Sequence, residues 1–267
     1  MEKLCKLENL SLRLGVKEFG PFSLEITKVE GIAILGPSGA GKTTLLKLLS
    51  HDLKAHLGVY QFKGKKIQDW SLSELSRSRA VLPQSGDVSF GLLAKLVIGL
   101  GRISIADDSH LVEIIEQAAR LSCCEHLLDR GFNTLSGGEK ARVHLARIFA
   151  QLWGEREGLI LVDEPLASLD PGLQIELLHS IRQYALNRNH AIIAILHDIN
   201  QAMQNFDRLI LVREGKIIGD MPSGVQAVPS LEGLYNVHLH MVNIDGFGPL
   251  VFPKARSHAM LSSDGSQ

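Results

Sequence analysis

Eight residues constrain this chain more than any others. Gly36-Pro37-Ser38-Gly39-Ala40-Gly41-Lys42-Thr43 fits the spacing G-x-x-x-x-G-K-[ST]. The run Gly31-Ile32-Ala33-Ile34-Leu35 precedes it and is apolar enough for a buried strand. Leucines 45, 46, 48 and 49 follow at helical spacing. Strand, glycine loop and helix in that order form a cradle for polyphosphate. Glycines let successive backbone N–H groups converge on an anion that side chains would hold off, and the helix N-terminus adds partial positive charge. In this pattern Lys42 reaches the terminal phosphates and the Thr43 hydroxyl ligates Mg²⁺. Residues Gly36 to Thr43, with Thr44 beside them, are the expected nucleotide-binding set.

A second cluster complements the first. Leu159-Ile160-Leu161-Val162 reads as another buried strand and ends in Asp163-Glu164. Carboxylates at the carboxyl end of a parallel strand sit where ligands bind in such sheets. Asp163 is the expected Mg²⁺ partner, and Glu164 the expected base that polarises an attacking water.

Between these clusters lies Leu135-Ser136-Gly137-Gly138-Glu139. Ser-x-x-Glu fits a capping box at a helix start, and the exposed N–H groups there can donate to phosphate. With this segment the sequence resembles the ABC ATPase family, whose signature is LSGGE. Other positions match residue by residue. Gln84 in Val81-Leu82-Pro83-Gln84 resembles the family's glutamine that serves Mg²⁺ and the attacking water. Ser168-Leu169-Asp170 resembles its D-loop, and His197 in Ile195-Leu196-His197-Asp198 resembles the switch histidine that touches the γ-phosphate. The resemblance spans roughly residues 4–245. It implies catalytic roles for Glu164, His197 and Gln84. It also implies nucleotide contacts from Ser136, Gly137, Gly138 and Asp170, and metal contacts from Thr43, Gln84 and Asp163. In this family the signature of one chain faces the phosphate loop of another, so one set of motifs implies a homodimer closed across ATP.

The implied fold is α/β: a P-loop NTPase of the ABC-ATPase type with a mostly parallel core sheet. An N-terminal antiparallel β element comes from residues 1–30, turning at Gly15 and Gly20-Pro21, and a helical lobe is inserted at about 87–150. Residues 57–67 read as a hairpin, 72–79 and 139–152 as helices, and 80–83 as a strand end. Residues 105–109 read as a helix entry, about 172–187 as a crossover helix, 191–196 as a buried strand, and 208–219 as a hairpin around Glu214-Gly215. The ATPase domain is drawn at 2–245. Residues 246–267 form a C-terminal segment, polar from about Lys254 and expected to be disordered at its end.

Composition narrows the partners. Lys and Arg number 28 against 29 Asp and Glu, so the basic excess of a duplex-binding protein is missing and no nucleic-acid partner is expected. The N-terminus mixes charges with leucines and does not read as a signal peptide. No run of about 18 apolar residues occurs, so a pore must come from a partner. Cys5, Cys123 and Cys124 lack ligand spacing and read as reduced thiols, the last two as small apolar packing groups near a helix.

Residues 75–84, 145–153 and 196–202 look like haem importer ATPases, and more broadly like importers of iron complexes and cobalamin. That likeness implies a polytopic permease in two copies, a periplasmic substrate-binding protein, and a place at the cytoplasmic face of the inner membrane. Cobalamin or siderophore import, or a soluble non-transport ABC ATPase, are the alternatives. One departure stands out. Many members stack an aromatic residue of the first hairpin on adenine, but Leu10-Ser11-Leu12-Arg13-Leu14 has none, leaving Phe19 and Phe22 as candidates.

Overall fold

The computed structural model describes residues 2–83, 91–163, 169–244 and 248–255. β1 (Lys3–Leu14) and β2 (Lys17–Thr27) pair antiparallel, and β3 (Gly31–Leu35) enters the interior. α1 (Lys42–Leu49) follows the glycine loop, then β4 (Leu57–Phe62), β5 (Lys65–Lys66), α2 (Leu72–Ser78) and β6 (Arg79–Leu82). The Ser71 hydroxyl accepts from the Glu74 amide, and the Glu74 carboxylate accepts from the Ser71 amide, so a reciprocal cap starts α2.

The lobe contains α3 (Ala94–Gly99), α4 (Leu111–Leu121) and α5 (Gly137–Gln151). The core resumes with β7 (Leu159–Asp163), α6 (Pro171–Arg188), β8 (Ala191–Ile195), α7 (Ile199–Asn205), β9 (Arg208–Arg213) and β10 (Lys216–Pro222). α8 (Val228–Tyr235) and the hairpin β11 (Val237–Ile244) and β12 (Gly248–Ala255) complete the described chain.

Six strands form the central sheet in the order β10-β9-β3-β8-β7-β6; every neighbouring pair is parallel except β10 with β9. A four-stranded antiparallel sheet runs β2-β1-β4-β5. The two-residue period of a strand divides the interior into two cores. Ile32 and Ile34 of β3 face α1 and the antiparallel sheet, with Ile193, Ile195, Leu159 and Leu161 beside them. Ala33 and Leu35 face the opposite way, toward α5, α6 and the lobe. Fully burying one such Ile or Leu contributes about 1.5–3 kcal/mol. β3, β7 and β8 are parallel, so their carboxyl ends open on one edge of the sheet.

Several local expectations change. Residues 105–109 do not start a helix: α4 begins at Leu111, and Asp108 instead accepts from Arg102 Nε at 2.7 Å. Arg102 also donates to the Ala150 carbonyl at 3.3 Å, which pins this loop to α5. Cys124 is buried, but Cys123 is exposed in a left-handed turn rather than packed. Burial pushes the Cys5 and Cys124 thiols up to about 12. Beyond residue 245, β12 pairs with β11 as far as Val237 opposite Ala255; the tail expected to be disordered, at 256–267, lies outside the described residues. Among the described residues no helix is long and apolar enough to cross a membrane.

His190 closes the seam between α6 and β8. It is 1% exposed, and its Nδ1 accepts from the Gly158 amide at 2.8 Å. Burial, then Arg188 and Lys63, lowers its pKa from 6.5 to about 4. The neutral ring therefore stabilises the fold fully above pH 6.5, and this contribution is lost as pH falls toward 4. It is on the order of 2–3 kcal/mol. Urea unfolding across that range should show a flatter pH dependence for His190→Gln than for the parent; equal slopes would contradict the assignment.

Candidate nucleotide site

The glycine loop takes its shape from backbones that nearly touch. At Gly36 a Cβ atom would lie 2.2 Å from the Val212 carbonyl oxygen, so only glycine lets β3 leave the sheet against the end of β9. Gly39 and Gly41 have φ of 73° and 104°, the left-handed region that other residues enter at a cost. The far side is braced by the turn between β9 and β10, where the Gly215 amide donates to the Ala40 carbonyl at 2.7 Å. The Gly215 carbonyl accepts from the Gly20 amide at 2.7 Å, so the antiparallel sheet is tied in as well.

Lys42 is 5% exposed, and its Nζ donates to the Gly36 carbonyl at 3.0 Å and the Pro37 carbonyl at 3.2 Å. The ammonium therefore lies along the loop, inside the cradle. Thr43 Oγ1 donates to Asp163 Oδ1 at 3.2 Å, which joins the two sequence clusters across β8. Asp163 is 9% exposed at the end of β7. A hydroxyl and a carboxylate oxygen in contact make the hard, all-oxygen donor pair that suits Mg²⁺. Phe19, residues 38–44 and His197 line a concavity of about 390 Å³. His197 is exposed, two residues past β8.

The adenine candidates separate. Phe22 is wholly buried in the core and cannot reach a ligand. Phe19 lines the concavity, but its ring edge lies where a Cβ on Gly41 or Gly215 would be, at 3.0–3.2 Å, and Lys17 Nζ sits 5.3 Å from its centroid. Phe19 thus serves as a floor of the loop. A second cavity of about 380 Å³, between α1 and β4, holds none of the motif residues.

The signature residues stand elsewhere. Ser136 caps α5: its hydroxyl accepts from the Glu139 amide at 3.3 Å, and Glu139 accepts from the Ser136 amide at 2.7 Å. Those Ser136 contacts, and then Arg130, hold the Glu139 carboxyl below its usual range. A Cβ on Gly138 would lie 2.6 Å from the end of the Leu173 side chain, which would have to turn aside to admit it. Gly137 faces open space. Asp170 caps α6 by accepting from the Leu173 amide at 3.0 Å. Ser136, Gly137, Gly138 and Asp170 are not among the residues lining this chain's own concavity. Gln84, Glu164 and Ser168 lie outside the described residues.

Tyr235 is a contact that sequence reasoning missed. Its hydroxyl accepts from the Gly36 amide at 3.1 Å, from the end of α8. Arg213 holds that helix end by donating to the Gly233 and Leu234 carbonyls. A lone tyrosine 199 residues from its partner carries no local pattern that could reveal it.

A glycine cradle with an inward lysine, joined through a threonine to a strand-end aspartate, defines a nucleotide-binding α/β ATPase. The family model described as ABC transporter matches residues 19–167, and the chain belongs to that family. It is 36% identical over 244 residues to the Hemin import ATP-binding protein HmuV of Pseudomonas fluorescens (strain Pf0-1), covering 88% of this chain and 94% of that one. It is also 36% identical over 263 residues to the protein of the same name from Methylobacillus flagellatus, covering 96% and 97%. A metal-chelate type ABC transporter in an inward-facing conformation has the same fold, with a TM-score of 0.78 at 23% identity, covering 95% of this chain and 98% of that one.

Tyr235→Phe removes the acceptor for one cradle amide. A hydrogen bond of about 1 kcal/mol corresponds to roughly fivefold weaker ATP binding, whereas Lys42→Ala should weaken it by roughly a hundredfold or more. Titration with a fluorescent ATP analogue checks both. Parental affinity in Tyr235→Phe would show that the tyrosine does not shape the cradle.

Proposed function

We propose that this chain is the ATP-hydrolysing subunit of a haem importer, working as a homodimer on the cytoplasmic face of an inner membrane. The observation that carries the ATPase reading is the Thr43–Asp163 contact beneath an inward Lys42. The haem cargo rests on the names of relatives 36% identical over most of the chain.

In this reading the loop amides from Ser38 to Thr44 and the Lys42 ammonium bind the β- and γ-phosphates of ATP, while the Gly36 amide is taken up by Tyr235. Thr43, Asp163 and Gln84 would hold Mg²⁺, which would neutralise phosphate charge when bound. Glu164 accepts a proton from water as its oxygen bonds to the γ-phosphorus. The bond from that phosphorus to the β,γ-bridging oxygen breaks, and ADP and phosphate leave. His197 contacts the γ-phosphate.

Ser136, Gly137, Gly138 and Asp170 act on the partner's nucleotide. Two features support that division: none of the four lines the chain's own concavity, and among the described residues nothing lies within 4 Å of a Cβ placed on Gly137. An open α5 N-terminus with free approach to its backbone suits a phosphate presented from outside. ATP then joins two copies, and hydrolysis separates them.

The permease reading draws support from the helical lobe. A groove of about 750 Å³ there is lined by Leu92, Leu96, Leu100, Ile103, Leu111 and Ile115, with Lys95 and Asp107 also among its walls. Leu96 is 50% exposed and Ile103 81%. Apolar side chains left in water at this density suit a protein partner. A polytopic permease in two copies, fed by a periplasmic haem-binding protein, completes the proposed complex.

Glu164→Gln should still bind ATP and dimerise in its presence, while turnover falls by roughly 10²-fold or more. Size exclusion with and without ATP, together with phosphate release, reads both properties. Parental turnover would remove Glu164 from the base role.

A further inference from the structure

His197 follows β8 and precedes α7, a helix of only seven residues. Such a helix has little orientation of its own and points where its contacts hold it. Its far end is fixed by Arg182, which donates to the Asn205 carbonyl, and by Ser223, which donates to the Met203 carbonyl at 3.1 Å. Its near end, next to His197, is gripped through two adjacent side chains.

Asn200 reaches to the C-terminal hairpin. Its Nδ2 donates to the Val251 carbonyl at 3.0 Å, and its Oδ1 accepts from the Val251 amide at 2.8 Å. The side-chain amide thereby behaves as one more residue paired along β12. Val251 is 1% exposed and opposite Met241 of β11, so this anchor is a buried part of the hairpin. Gln201 reaches the other way. Its Nε2 donates to Gln174 Oε1 at 3.1 Å, and Gln174 Nε2 donates to the Leu169 carbonyl at 2.9 Å, beside the Asp170 cap. The first turn of α7 is thus held between β12 and the loop that starts α6.

We infer that Asn200 is a positioning residue for hydrolysis: by pairing with Val251 it fixes the turn that presents His197 and makes the C-terminal hairpin part of the hydrolytic apparatus. The inference rests on the reading of His197 as a γ-phosphate contact. Asn200 itself touches no substrate. Its effect passes through the orientation of α7, so it acts on the chemical step and leaves the phosphate cradle intact. The hairpin, which carries none of the family motifs, acquires a mechanical role.

The test is a double-mutant cycle on the full-length chain, with ATP turnover measured at saturating nucleotide and thermal unfolding followed alongside. Asn200→Ala should lower kcat about tenfold while the KM for ATP stays within about twofold. Asn200→Asp keeps the acceptor for the Val251 amide but loses the donor, and should fall between. In a His197→Ala background, Asn200→Ala should change the residual turnover by less than about twofold, because the group it positions is gone. Equal losses in both backgrounds, parental turnover in Asn200→Ala, or a loss confined to KM would overturn the inference. So would a loss in Asn200→Ala when His197→Ala alone turns over at the parental rate, and that result would also identify the His197 reading as the part that failed.

Discussion

The site depends on one close backbone contact, the approach of Gly36 to the Val212 carbonyl. It turns the chain out of β3 early enough for six residues to curl before α1 begins. Once that turn is fixed, the rest follows from geometry. Lys42 Nζ donates to the Gly36 and Pro37 carbonyls, so its charge is held over the loop. Thr43 comes next in the helix and meets Asp163 from β7. A polyphosphate in the loop would meet the Lys42 ammonium at close range, which suits a chain that works with nucleotide.

The neighbouring elements act as braces on the same loop. The β9–β10 turn holds Ala40, Tyr235 holds the Gly36 amide, and Phe19 lies under Gly41. These contacts come from the antiparallel sheet, the hairpin after β9 and the C-terminal helix, three regions distant in sequence. Nucleotide binding therefore reports on the whole catalytic body, and changes at any brace reach the phosphate. α7 carries the same logic to the turn after β8, which is held by β12 and the start of α6.

Much of this could be read before the fold was seen. The eight-residue loop, the strand run before it and the Asp163 strand end are local patterns, each with a short-range physical reason, and they fall where expected. The alternation of Ile32 and Ile34 with Ala33 and Leu35 already contains both cores. What escaped were contacts without local pattern. The helix begins later than 105–109, at Leu111, and Asp108 divides its carboxylate between Arg102 and the His110 amide. α7 and α8 are short, and beyond the Asp198 cap and a proline in the first turn of α8 they carry little local pattern, so tertiary contacts largely set their placement. Tyr235 and Asn200 act across long sequence separations through backbone atoms, which leave no signature in the partner's side chain. The lack of an aromatic in Leu10–Leu14 was legible; that Phe19 packs beneath Gly41 while lining the concavity was not.

A cradle on one face and a Ser136–Gly137 helix start on another share no lining residue, and in the proposed dimer they are two halves of one site closed between two chains. The most direct measurement mixes two defective chains, one carrying Lys42→Ala and the other Ser136→Arg, each inactive by itself. If every site draws its cradle from one copy and its serine from the other, mixed dimers contain one intact site and ATP turnover returns on mixing. If each chain completes its own site, both partners in the mixed dimer remain broken, and turnover stays at the level of the separate variants.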